Sequence, residues 1–329
     1  MSESKVAPRA PFKPSSLLLR WELILVPLLA LVMFVNGTRS EFFWDPFNLG
    51  DATFNFSEKG IMAIAMALLI LTREIDLSVS SIIALASLVM GLAAQNGAET
   101  PVLVLLALLT GTLAGFFNGF LVIRFAVPSI AITLGTMSLY RGISQAILGD
   151  QALTKYPESL ANLGQGYLLE PIPYSFVTFL GLALLVGLVL HRTRWGRQLY
   201  AIGTNPEAAK FSGILVDRYR LILFTLSGTF AGLAAAFLTS RISSTRPNIA
   251  QGWELDVITM VVLGGIGIAG GTGSMLGVVL AVLLLGMISF GLALMNVPGI
   301  VAGIFIGGLL IGAIALPPLF KKILRIGKR

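Results

Sequence analysis

Ten apolar runs, most of them near 20 residues long, constrain this chain more than any other feature. About 20 mostly apolar helical residues cross a hydrocarbon core of about 30 Å. The runs fall near 18–36, 60–72, 78–96, 101–123, 128–148, 173–191, 219–240, 256–270, 273–295 and 298–317. Only 12% of residues are charged and mean hydropathy is +0.88, which leaves too little polar surface for a water-soluble domain. The expected fold is an all-α polytopic membrane protein of about ten transmembrane helices over 18–317. A tail precedes it at 1–17, a basic tail follows at 318–329, and a polar loop interrupts it at 191–220. The basic start before an apolar run also resembles a signal peptide. No A-x-A-like cleavage site follows, so the run is expected to be an uncleaved first span.

Charge fixes the expected orientation. Lys5, Arg9, Lys13 and Arg20 precede the first run. His191, Arg192, Arg194, Arg197, Lys210, Arg218 and Arg220 lie in the 191–220 loop, and Lys321, Lys322, Arg325, Lys328 and Arg329 close the chain. Ten spans put all three groups on one side, which the positive-inside rule makes the cytoplasm. Both termini are therefore expected there. Glu41, Asp45, Asp51 and Glu58, then Asp150, Glu158 and Glu170, form acid-leaning segments opposite. The net charge of +7 reflects this topology signal and not a nucleic-acid partner.

Two runs are too short. Residues 60–72 and 256–270 would reach only about 20 Å. Each ends in an unusual stretch, "TREIDLS" (72–78) or "GGIGIAGGTGS" (264–274). Such interruptions mark translocation pathways in some transporters, and they also occur as tight turns between ordinary helices. Elsewhere glycines recur every four residues, at Gly111, Gly115 and Gly119, at Gly228 and Gly232, and at Gly303 and Gly307. That spacing gathers them on one helix face and predicts close helix packing.

Catalytic signatures are missing. There is no phosphate-binding G-x-x-x-x-G-K-[ST], one His, no Cys and no metal-ligand pattern. Gly265, Gly267 and Gly270 spell G-x-G-x-x-G without a βαβ context, so they are expected to serve helix packing rather than a nucleotide. An intramembrane enzyme is therefore unsupported, and no cofactor or metal is expected in this chain.

The loop "GRQLYAIGTNPEAAKFSGI" (196–214) contains a short capped helix. Asn205 precedes proline and suits an N-cap; Pro206 suits the first helical position, and Glu207 the positive dipole end. Ala208, Ala209 and Lys210 favour helix, and Gly213 terminates it. About eight residues are too few to be stable alone, so the helix must dock on its own bundle or on a partner.

These residues carry a resemblance. "NPEAAKFSGI" resembles the cytoplasmic loop of ABC importer permeases. "ILTREIDLSVSSIIAL", "PSIAITLGTMSLYRGI" and "WELDVITMVVLGGIGIAGGTGSMLG" resemble, in order, segments of the ribose-type sugar permeases, most closely their rhamnose-type branch. Arg73 and Glu74 stand where family members usually carry two glycines. The resemblance covers residues 55–318. It implies a dimeric channel built with a second copy or a paralogous permease, an ATP-binding subunit holding ATP and Mg, and a periplasmic sugar-binding protein. It implies that Asn205–Lys210 and Gly213 form the coupling helix and that the cargo is a monosaccharide, rhamnose or ribose-like. Another small polar solute, such as a furanosyl signalling molecule, is the alternative, as is an ion-coupled carrier.

Pathway residues have two readings each. Asp76 lies on the route, or caps the helix beginning near Ser78. Thr133, Thr136, Ser138, Tyr140 and Arg141 line a polar path, or hydrogen-bond between helices. Trp253, with Gln251 and Glu254, faces sugar at the outer side, or anchors at the interface.

Overall fold

The computed structural model describes residues 22–309 and 311–312. The tails, the start of the first run and the end of the last lie outside the described residues. The helices are α1 (Glu22–Arg39), α2 (Pro46–Leu71), α3 (Val79–Gln95), α4 (Thr100–Phe125), α5 (Ser129–Leu148), α6 (Glu158–Gln165), α7 (Tyr174–Arg192), α8 (Arg194–Thr204), α9 (Pro206–Phe211), α10 (Val216–Ile242), α11 (Trp253–Leu263) and α12 (Met275–Leu294). An apolar helix, Gly299–Leu309, follows. Strands β1 (Tyr167–Leu169) and β2 (Ile172–Pro173) form a small antiparallel hairpin before α7. Among the described residues six helices are long and apolar enough to cross a membrane: α1, α2, α4, α7, α10 and α12. This is an all-α polytopic bundle.

Two expectations change. The run at 60–72 is the C-terminal half of α2, whose 26 residues reach about 39 Å, enough to span. Asn48, Asp51, Asn55, Glu58 and Lys59 hide its N-terminal half from a hydropathy reading. Asp45, read as part of an outer acidic segment, caps α2 by accepting from Phe47 N and Asn48 N at 2.8 and 3.1 Å. Gly265, Gly267 and Gly270, read as helix packing, instead sit in a turn with φ of 88° at Gly265 and 78° at Gly270. Those angles suit glycine and exclude helix.

The run at 256–270 stays short. Its helix, α11, has 11 residues and rises about 16 Å, about half of the hydrocarbon core. The Gly-rich turn 264–274 then reverses the chain into α12.

α2 lies at the centre, with nearly every residue from Gly60 to Leu71 buried. The predicted glycine packing joins α4 to α10. A Cβ on Gly228 would stand 2.7 Å from Gly115 Cα, and one on Gly111 2.8 Å from Gly232 Cα. Only glycine permits this approach. Gly303 and Gly307 have nothing within 4 Å of an added Cβ, so among the described residues their stripe packs on nothing.

Candidate functional site

Two regions carry polar chemistry. The first is at the end of the bundle where α2, the Gly-rich turn, α8, α9 and the start of α10 meet. Asn205 caps α9, its side chain accepting from Ala208 N at 3.0 Å, and Pro206 takes the first helical position. Gly213, at φ 83°, ends the motif. Ala209 is buried with Ile202 and Val216, which docks α9 on α8 and α10. The docked helix leaves Glu207, Ala208 and Lys210 exposed, and Phe211 is 94% exposed. The short helix thus has one face on its own bundle and one face open.

The "TREIDLS" stretch lies directly beneath. Arg73 donates through Nε to Gly203 O at 2.7 Å and through an amino group to Thr204 O at 2.6 Å. These carbonyls end α8, where a cation opposes the negative end of the helix dipole. Glu74 pairs with Arg220 at 2.7 Å, tying the same junction to α10. From the other side, Gly271 N donates to Leu71 O at 2.8 Å, and Tyr200 donates to Gly273 O at 2.7 Å. Both odd stretches are therefore turns at one end of the bundle, and they clasp α8–α9 between them. A cleft of about 570 Å³ lined by Arg73, Thr204, Glu207, Lys210, Asp217 and Arg220 opens there. Ser274 donates to Glu22 at 2.5 Å, which brings the start of α1 to the same end.

Asp76 is wholly buried. One oxygen accepts from Ser78 N at 3.0 Å and Ser78 Oγ at 2.6 Å; the other accepts from Ser227 Oγ at 3.0 Å. Asn118 donates to Ser78 Oγ, and Tyr140 donates to Asn118. The network joins α3, α4, α5 and α10 around the start of α3. Thr133 and Thr136 lie on the same buried stripe of α5 and donate to backbone carbonyls, Thr133 to Ser129 O at 2.9 Å and Thr136 to Thr133 O at 3.3 Å. Ser138 is exposed on the opposite face.

The second region is the break between α10 and α11. Arg141 donates to Pro247 O and Ile249 O, both at 2.7 Å, and so holds the non-helical segment 243–252. Arg141 lies twelve residues along α5 from Ser129, whose hydroxyl accepts from Ile75 N at the α8–α9 end. Twelve residues rise about 18 Å, so irregular backbone sits well inside the membrane depth. Such backbone is tolerated only where protein or a polar cavity satisfies it. Trp253, expected at the outer side, is as deep: Lys59, midway along α2, lies 5.0 Å from its ring centroid.

The sequence reading missed the charges that brace this break. Glu58 pairs with Arg241 at 2.8 Å, and Lys59 pairs with Asp256 at 2.5 Å. Glu58, read as part of an outer acidic segment, is buried inside α2. Neighbouring residues on one helix thus tie down the end of α10 and the start of α11. The signal was α2 itself: a helix begun at "DPFN" carries both charges to mid-depth.

Comparison with known proteins follows the same lines. The family described as "branched-chain amino acid transport system / permease component" matches residues 49–314. The chain belongs to this permease family. It is 37% identical over 255 residues to the autoinducer 2 import system permease protein LsrC of Enterobacter sp. (strain 638), covering 76% of this chain and 74% of that protein. It is 35% identical over 297 residues to permease protein LsrD of the autoinducer 2 import system of Yersinia enterocolitica, covering 88% and 89%. No solved structure matches the chain significantly. The permease is a multi-pass inner-membrane transport subunit of the ABC importer type.

Proposed function

We propose that this permease forms the membrane pathway for a furanosyl signalling molecule of the autoinducer 2 class. The names of its relatives favour that cargo over rhamnose or ribose. The pathway is completed by a second permease subunit and fed by a periplasmic binding protein. A separate subunit binds ATP and Mg, and this chain holds no cofactor. The α8–α9 end and both termini face the cytoplasm, in keeping with the basic 191–220 loop and the approach of Glu22 to Ser274.

One observation carries the transport role. α9 is capped, docked and clasped from two sides, yet presents Phe211 94% exposed. A rigid helix with an open aromatic suits a groove on a partner that must push on it. Asn205, Pro206, Glu207, Ala208, Ala209, Lys210 and Gly213 build that helix. In the pathway, Arg141 and Trp253 stand at the break and Ser138 lies on the exposed face of α5, while Asp76, Thr133, Thr136 and Tyr140 position the helices from within the bundle.

Phe211→Ala leaves the docking face untouched. It should keep the permease folded while lowering recovery of the ATPase and uptake of labelled autoinducer 2 in cells carrying the full system. Normal recovery and uptake would remove the coupling role. Uptake of rhamnose or ribose in preference would overturn the cargo.

A further inference from the structure

A third feature adjoins the first region beside the start of α8 and of α10. Between α7 and α10, floored by Ala65 and Leu68 of α2, runs a groove of about 270 Å³. Its walls are wholly apolar, from Leu182 and Val189 on α7 to Leu226 and Phe230 on α10. The flanking α7 surface is exposed leucine, including Leu184 and Leu188. Trp195 closes the end at α8, its ring centroid 5.8 Å from that of Tyr219 with the planes tilted by 33°. Tryptophan at that level is an interface residue.

Basic residues surround that mouth. Leu185, Val189 and Arg192 share one face of α7 at spacings of four and three. Arg218, Ile222 and Leu226 share one face of α10 at spacings of four. The two apolar stripes that wall the groove therefore each end in an arginine, with Arg194 beside Trp195 between them. All three arginines are exposed, and among the described residues none has an acidic partner.

We propose that this groove is a binding site for an anionic phospholipid of the inner leaflet. One acyl chain fills the groove beneath Trp195, and the headgroup phosphate lies between Arg192 and Arg218. Basic pockets at the cytoplasmic ends of transmembrane helices select such headgroups. The apolar length selects lipid over a free anion. The occupant would brace α7 and α10, the helices on either side of the α8–α9 loop.

The test uses the purified full chain in detergent, with native mass spectrometry and thermal unfolding as readouts. The probes are phosphatidylglycerol, phosphatidylcholine with the same chains, and water-soluble glycerophosphoglycerol. Phosphatidylglycerol should be retained and should raise the melting temperature; the other two should not. Arg192→Gln with Arg218→Gln should weaken retention roughly thirtyfold at low salt. Leu226→Trp should cut retention of phosphatidylglycerol with every arginine in place. Arg124→Gln, at the exposed end of α4, should change nothing. Equal retention of phosphatidylcholine would overturn the proposal. So would equal protection by glycerophosphoglycerol, or an equal loss in Arg124→Gln, which would reduce the effect to general surface charge.

Discussion

Arg73→Gly separates the stability of the bundle from the anchoring of its α8–α9 end. Arg73 holds φ 68°, a left-handed conformation that costs an L-residue about 1–2 kcal/mol. Its two hydrogen bonds to Gly203 O and Thr204 O return about 1 kcal/mol each, and the α8 dipole adds about 0.3–1 kcal/mol. The side chain is exposed, so the low end of each figure applies. Glycine removes the strain and the bonds together, so global stability should change by no more than about 1 kcal/mol. The lost contacts all hold α8–α9, so that loop alone loses about 1–1.5 kcal/mol of anchoring. Hydrogen–deuterium exchange of amides 205–213 should then quicken roughly 5- to 12-fold while the melting temperature barely moves. Arg73→Lys supplies the sign test. It keeps the strained φ but loses the planar fork, so it should be less stable than Arg73→Gly. Unchanged exchange at 205–213 in the glycine variant, or a lysine variant more stable than it, would refute the reasoning.

Gly228→Ala forces a methyl against the backbone of α4, and should cost about 1–3 kcal/mol in thermal unfolding. Gly303→Ala meets nothing among the described residues and should leave unfolding of the isolated permease unchanged. Tyr167, on the hairpin, donates to Asp51, and that bond followed by burial pushes its hydroxyl pKa up to about 12. The raised value stabilises the fold fully below about pH 10, its unfolded value, and the contribution is lost as pH rises toward 12. Ultraviolet titration should show the tyrosine absent in Tyr167→Phe ionising earlier in Asp51→Asn, and an unmoved titration would exclude the bond.

What the sequence disclosed follows the range of each interaction. The cap of α9 lies within nine residues, from Asn205 to Gly213, and local propensity reads it directly. The α4–α10 packing is long-range, yet its spacing is written into each helix separately. The N-terminal half of α2 was invisible because its polar residues are satisfied by distant partners: Glu58 by Arg241, Lys59 by Asp256 and Asp51 by Tyr167. A hydropathy window sees the charge and not its counterion. The Gly-rich turn misled for a related reason. G-x-G-x-x-G reads alike as packing stripe or turn until positive φ at Gly265 and Gly270 decides. Arg73 was visible as a departure from the family's glycines, but its purpose depends on carbonyls 130 residues away.

Asp76 shows how geometry can weigh two readings that composition left open. Its carboxylate is fully buried and accepts three hydrogen bonds, two from Ser78 and one from Ser227. Asp76→Asn can keep all three contacts. The amide oxygen still accepts from Ser78 N and Oγ, and the amide nitrogen donates to Ser227 Oγ, whose hydroxyl turns from donor to acceptor. Folded protein should stay near normal, and uptake should stay above roughly half, since the lost helix-end charge is worth only about 0.3–1 kcal/mol. Asp76→Leu removes every acceptor and strands three buried donors at about 1–3 kcal/mol each, so folded protein should fall sharply. Both variants are read by uptake normalised to membrane-inserted protein. A buried joint predicts loss through folding in the leucine variant and little loss in the asparagine one. Near-complete loss of uptake in Asp76→Asn, with normal insertion, would mean that the charge itself is used, and would move this carboxylate from the joint of α3 and α10 onto the translocation route.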